Sequence, residues 1–268
     1  MLTFTMSCSF WSCSEDELNS DSIFDTSGVE RNLFDQWLLQ NYVYPYNIDF
    51  KYRMEDIESD MNYALVPAEA GNSVRMAKLV KYCWLEAYDE VAGIDFTRTY
   101  VPKVIQLIGS AAYDSDGFMV LGTAEGGLKI TLYLVNSLQI NRDFLNYYYF
   151  RTMHHEFAHI LHQTKNYDPD FEAVSVGNYI GGDWIYSSDT EAHQAGFVTP
   201  YAQSEPNEDF VENIAIYVIN SEEHWNALLE DAGEEGAAII LEKFEFVRNY
   251  LRDTWDIDID QLRDVVQR

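Results

Sequence analysis

The stretch Arg151-Thr-Met-His-His-Glu-Phe-Ala-His-Ile-Leu-His-Gln163 decides how the rest of the chain is read. Met153, Phe157 and Leu161 recur at helical spacing, so Phe144 to about Gln163 is expected to form one helix with these residues on its buried face. Within it, His155, Glu156 and His159 have the form H-E-x-x-H. Residues four apart on a helix are stacked about 6 Å along the axis, so the two imidazoles can share one Zn2+ at about 2.0–2.1 Å each. Glu156 then faces a water on that metal and can take its proton. His162 lies two turns from His155, about 10.5 Å along the axis, too far to join the same ion. It reads as a residue behind the ligands or in the core, as does His154, which points elsewhere around the helix.

A third ligand has to come from another segment. Pro206 and Asn207 can start a helix whose buried stripe is Phe210, Ile214, Tyr217 and Val218. Glu208 and Glu212 then lie one turn apart on the same face. Glu208 can ligate the metal while Glu212 hydrogen-bonds a ligand imidazole from behind, fixing its tautomer and raising its basicity. The competing ligands are Glu212 itself, Asp209, Glu191 and His193. Asp209 would face about 100° away from Glu208. His193 is also a candidate donor to a developing oxyanion.

Composition sets the frame around this pair of segments. A 268-residue chain with 47% hydrophobic and 15% aromatic residues is long and apolar enough to bury a substantial core. Its formal charge of −28 repels phosphate backbones, so no nucleic-acid partner is expected. Such acidity favours solubility and cationic partners, or is simply a solvated surface. Cys8, Cys13 and Cys83 make no C-x-x-C pair and no even-numbered disulfide framework. Cys83 falls in the helical pattern of Met76, Leu79, Val80, Trp84 and Ala87 and is expected in the core.

In chain order, residues 14–30 have too little apolar surface to fold and read as a flexible tether. Residues 31–268 read as a single domain, sheet-containing over 31–142 and helical over 143–268. Asn32 to Gln40 has helical spacing, and Tyr42 to Tyr52 reads as a strand broken by Pro45. Ala68 to Ala92 is a strong helix stopped by Gly93. Lys103 to Ser110, Gly117 to Leu121 and Leu128 to Val135 are β-like runs, separated by turn chemistry at Asp114 to Gly117 and Glu125 to Gly127. The expected fold class is α+β, with a small antiparallel or mixed sheet and one helix packed on it. The run Lys129 to Val135 is either an edge that pairs with an extended peptide or an ordinary interior strand. Helices over Glu222 to Leu229, Gly236 to Arg252 and Asp260 to Gln267 brace the rest.

His155-Glu156-Phe-Ala-His159 followed by Glu208-x-x-x-Glu212 resembles the gluzincin arrangement, whose first Glu is the third zinc ligand. Adding Gly196-Phe-Val-Thr-Pro-Tyr201 and Pro206-Asn-Glu-Asp-Phe-Val-Glu212, the pattern is similar to the zinc-binding metallopeptidase lipoproteins of Bacteroidetes, from about Leu33 to the C-terminus. The resemblance implies a zincin-like fold with zinc on His155, His159 and Glu208. It also implies hydrolysis of peptide bonds, of the endopeptidase type, with Glu156 as general base. Zinc endopeptidases of the lethal-factor and Pro-Pro-endopeptidase type carry a Tyr seven residues before the ligand Glu, which hydrogen-bonds the oxyanion; Tyr201 stands at that place.

Residues 1–13 are mostly apolar and small and end in Cys13, and Ser14-Glu-Asp-Glu follows. This resembles the lipobox and surface-export tag of Bacteroidetes lipoproteins, implying a lipid anchor at Cys13 and a secreted or outer-membrane, cell-surface location. It departs from that pattern in having no basic start and in placing Phe10-Trp11-Ser12 before the Cys. The rival to the enzyme is a catalytically silent surface lipoprotein with a vestigial zincin fold, linked to glycan or nutrient uptake. An intact Glu156 between two intact His speaks against it. A purely structural zinc fits less well, since such sites are closed and usually Cys-rich.

Overall fold

A computed structural model describes residues 31–55, 62–113, 119–120, 122–125 and 128–268 of the chain. Cys8, the lipobox at Cys13 and the tether lie outside the described residues.

Helix α1 (Leu33–Leu38) starts on a reciprocal Asn32–Asp35 capping box. It runs through a π-helical turn at Leu39–Val43 into the short helical turn Tyr44–Tyr46. Pro45 sits in the first turn of that piece, where its missing N–H and fixed φ fit a helix. The strand expected over Tyr42 to Tyr52 therefore shrinks to β1 (Asp49–Lys51). Tyr42 and Tyr46, four apart, are both buried on the helical face instead. Helices α2 (Ala70–Val80) and α3 (Glu86–Ala92) are continuous through a π-helical segment at Lys81–Leu85. They end at Gly93, whose φ of +86° favours glycine, and α4 (Ile94–Tyr100) follows. Cys83 is half-buried and packs against the core.

Strands β1, β2 (Val104–Leu107) and β6 (Lys129–Leu132) are parallel, and β5 (Gly122–Glu125) pairs antiparallel with the far side of β6. The order is β1-β2-β6-β5, while β3 (Ala112–Tyr113) and β4 (Met119–Val120) form a separate ribbon. β6 is thus interior, and β5 is the edge strand beside the histidine-bearing helix. Gly122-Thr-Ala-Glu125 has little of the β-branched and aromatic content that marks strands, which is why the sequence pattern points to its neighbours instead.

The helical half begins with α5 (Arg142–Leu145), a π-helical turn at Asn146–Phe150, and α6 (Arg151–Thr164). Phe157, fully buried on α6, meets Trp84, Tyr88 and Phe96 edge-on at centroid distances of 5.5, 4.8 and 5.9 Å. That aromatic cage fixes one face of α6 against the first half of the chain and turns the face carrying His155 and His159 the other way. After α7 (Asp170–Val174) and α8 (Asp189–Gln194) comes α9 (Pro206–Ile219), which is buried from Asp209 to Ile219 and packs on α6.

Helix α10 (Glu222–Trp255) is two helices joined at Gly233, where φ is +68°. At Gly236 an added Cβ would lie 2.4 Å from the His193 carbonyl, so only glycine lets α8 lie this close to α10. Helix α11 (Ile259–Val266) closes the chain. The result is an α+β fold with a small mixed sheet and a mostly helical remainder. No helix among the described residues is long and apolar enough to cross a membrane.

Candidate metal centre

Helices α6 and α9 bring the two halves of the sequence pattern together. Glu208 Oε2 lies 3.0 Å from His155 Nε2 and 3.3 Å from His159 Nε2. The two Nε2 atoms are 3.2 Å apart, and all three ligand atoms fall within 4.8 Å of one another. With Nε2 of each ring turned inward, Nδ1 is left to donate outward. His155 Nδ1 is 2.8 Å from Glu212 Oε1, and His159 Nδ1 is 2.9 Å from His162 Nε2. His162 therefore stands behind His159, beside the stacked rings of Tyr167 and Phe210 at 5.6 and 6.5 Å. His154 is wholly buried on another face, 2.9 Å from the Tyr88 hydroxyl.

Glu212 is buried and accepts from three groups: His155, the Thr199 hydroxyl at 2.6 Å, and the Arg151 guanidinium. Arg151 and Thr199 stand in the two motif segments, but the sequence reading gave neither a role. Arg151 had a signal, because it stands four residues before His155 and so shares its face of α6.

The other candidate ligands are engaged elsewhere. Asp209 is fully buried against Lys243 Nζ at 2.7 Å, the Tyr179 hydroxyl at 3.0 Å and Asn213 Nδ2 at 3.1 Å. Burial pushes its carboxyl up to about 6 against the pull of Lys243, whose own pKa burial lowers. Glu191 caps its own helix through Ser188, and His193 Nδ1 is 2.6 Å from Asp231. Of the candidates for third ligand, Glu208 is the one whose carboxylate approaches both Nε2 atoms.

Glu156 follows His155 and is partly buried, and burial raises its carboxyl above the ordinary range despite both imidazoles. Tyr201 has its ring 5.9 Å from that of His155, and Trp184 meets it edge-on at 5.0 Å. Burial, reinforced by the Glu208 carboxylate, keeps its phenol protonated well above the usual pKa. Burial works against a charge on His155, yet Glu208 and Glu212 outweigh it and hold the imidazole up to about 9. Glu208 is likewise pulled down to about 2 by the two imidazoles, against its own burial.

These charges show what the cluster is suited to hold. Three acidic residues follow one another on α9. Glu212 has Arg151 and Asp209 has Lys243, whereas the ion pairs of Glu208 among the described residues are with the two imidazoles alone. A partly buried carboxylate converging with two imidazole nitrogens, and no sulfur, is a donor set that fits zinc with a coordination position left open.

No curated protein matches the chain. A crystal structure of a putative zinc-binding metallo-peptidase from Bacteroides caccae ATCC 43185, at 2.10 Å resolution, is similar to it at 55% identity and a TM-score of 0.80. That similarity covers 92% of this chain and 95% of the other. The family described as "Putative zinc-binding metallo-peptidase" matches residues 27–260, so the chain belongs to that family, with zinc as the metal its histidine and glutamate cluster fits.

Proposed function

We propose that the chain is a zinc-dependent endopeptidase of the gluzincin type on a zincin-like fold. One observation carries the reading: Glu208 Oε2 sits 3.0 and 3.3 Å from the Nε2 atoms of the H-E-x-x-H pair, with Glu212 behind His155. His155, His159 and Glu208 would hold the metal. Zinc supplies a Lewis acid that acidifies a water and polarises a peptide carbonyl.

Glu156 accepts the proton of the attacking water and passes it to the leaving amine, a role suited to a carboxyl whose pKa burial has raised. Tyr201 donates a hydrogen bond to the carbonyl oxygen as negative charge develops there. It is better placed for this than His193, whose ring is tied to Asp231. The β5 edge beside α6 offers main-chain N–H and C=O groups to an extended substrate.

The reading is tested by Glu156→Gln, which should retain zinc and fold while cleavage of a protein substrate drops about 10²–10⁴-fold. Wild-type turnover in that variant would refute it. The proposal extends to a lipid anchor on Cys13 and a location on the cell surface, supported by the sequence pattern alone. Labelling with an alkyne fatty acid should mark the wild-type chain and not Cys13→Ala, and equal labelling of both would remove the anchor.

A further inference from the structure

Residues 166–242 contain 17 Asp and Glu and not one Lys or Arg. This stretch supplies Glu208, Tyr201 and Trp184, and hence one whole side of the candidate centre. Among the described residues, three cations that reach it from outside are already engaged: Lys243 is fully buried on Asp209, Arg151 pairs with Glu212, and Arg263 lies over the Tyr217 ring at 4.4 Å.

One part of this acidic stretch borders the centre directly. The Ile180 N–H donates to the Gln203 carbonyl at 2.9 Å, and the Tyr179 hydroxyl donates to Asp209 at 3.0 Å. Trp184 lies edge-on to Tyr201, which in turn faces the ring of His155. Around these anchors Val176, Ile180, Ile185 and Tyr186 are exposed, Tyr186 at 81%. Single exposed apolar side chains are ordinary, but four within eleven residues, in a segment anchored beside a candidate active site, exceed that background. The charge around them narrows the partner. A segment this rich in carboxylates and without lysine or arginine of its own repels phosphate backbones and anionic lipid, and attracts cations over roughly a Debye length.

We propose that residues 175–187 form a substrate-binding wall that selects cationic peptides carrying a large aliphatic or aromatic side chain close to the scissile bond. The proposal rests on the peptidase reading and names its substrate class. The apolar side chain packs against Trp184, Ile185 and Tyr186, while flanking Lys and Arg residues sit in the field of the acidic stretch, Asp183 nearest in sequence.

Binding tests this without turnover. The probes are three fluorescent peptides, titrated by anisotropy against the zinc-loaded full chain carrying Glu156→Gln. The first has one Phe flanked by lysines, the second has the lysines replaced by Glu, and the third has the Phe replaced by Ser. The Lys–Phe peptide should bind about tenfold tighter than either of the others at low salt, and its lead over the Glu peptide should shrink several-fold between about 50 and 500 mM NaCl. Adding Ile185→Ser and Tyr186→Ser, both at exposed positions, should weaken the Lys–Phe peptide several-fold and leave the Ser peptide unchanged. Equal affinity for all three peptides, a Lys preference that ignores salt, or a double variant that binds like its parent would overturn the proposal. Cleavage of the Lys–Phe peptide by the wild-type chain reads the peptidase separately, so loss of the activity and loss of the selectivity are told apart.

Discussion

Replacing Glu212 by Gln keeps the shape of the side chain and removes its charge, so it isolates what the carboxylate does behind His155. In the structure one oxygen receives His155 Nδ1 at 2.8 Å and Arg151 Nε at 3.3 Å. The other receives the Thr199 hydroxyl at 2.6 Å and an Arg151 terminal nitrogen. Whichever position the amide nitrogen takes, it meets two donors it cannot accept from. The cheaper orientation keeps the oxygen on His155, since the Thr199 hydroxyl can rotate to accept and only one Arg151 bond is then lost outright. Arg151, at 24% side-chain exposure, also loses its counter-charge.

Breaking a buried ion pair by removing one charge costs about 3–5 kcal/mol, and the partial exposure of Arg151 puts the expected loss near the lower figure, about 3 kcal/mol. Loss of the charged partner behind His155 should weaken zinc by about 10–100-fold, or about 1.4–2.7 kcal/mol. Urea unfolding of the metal-free chain measures the first quantity, and competition with a chromophoric zinc chelator measures the second. Thr199→Val is the control: it deletes two hydrogen bonds, one to Glu212 and one from the Ala202 N–H, and no charge, and should cost about 2 kcal/mol with little change in zinc affinity. A Glu212→Gln chain whose zinc affinity stays within twofold of wild type would show that His155 does not depend on this carboxylate.

Other outcomes follow from single contacts. His162→Phe should weaken zinc by about tenfold or more because His159 Nδ1 loses its acceptor, and His162→Gln, whose amide oxygen can accept, should recover much of that in the same chelator competition. His154 is buried and neutral, with burial lowering its pKa to about 3. The unfolded chain binds a proton there below about 6.5 and the folded chain does not, so this residue removes up to about 1.4 kcal/mol of stability per pH unit as pH falls from 6.5 toward 3. Urea unfolding at pH 7 and pH 5 should show a smaller acid loss for His154→Phe than for wild type, and identical losses would reject the assignment. Lys243→Met leaves Asp209 buried without its cation and should cost about 3–5 kcal/mol, whereas adding Asp209→Asn should restore most of it. No recovery in the double variant would mean that packing, rather than the pair, sets the cost.

The sequence made the centre legible through spacing that a helix converts directly into geometry. His155 and His159 at four residues, Glu208 and Glu212 at four, and Asp209 one residue off that face needed only 100° per residue to sort ligand, backing carboxylate and bystander. The same rule set His162 behind the cluster rather than in it. Features set by other constraints were harder to see. β5 depends on pairing with β6, and its Gly-Thr-Ala-Glu sequence has no strand signature of its own. Pro45 serves equally well to break a strand or to open a helical turn, and the buried tyrosines on either side decide for the turn. The 175–187 segment has no periodicity, so the approach of Trp184 to Tyr201 could not be read from spacing.

The two candidate ligand histidines are backed unequally, and the difference bears on the charge at the centre. His155 leans on a carboxylate, but that carboxylate is balanced by Arg151. His159 leans on His162, which burial holds neutral with its pKa near 4. Asp209, beside Glu208 on the chain, is balanced by Lys243. A bound dication would therefore meet one uncompensated carboxylate as ligand, Glu208, with Glu156 as the other acid beside the ligands. Adding uncompensated anions behind either imidazole would tighten metal binding while blunting the positive charge that polarises a carbonyl. Arg151 matters for that reason: by balancing the carboxylate behind His155, it would let Glu212 orient the ring without weakening a bound dication as an electrophile. The sharpest split is expected for Arg151→Met, which removes the positive end of the pair and keeps the bond to His155: zinc affinity in a chelator competition should stay at or above the wild-type value while the rate of peptide cleavage falls, and a variant that loses affinity and keeps its rate would refute the argument.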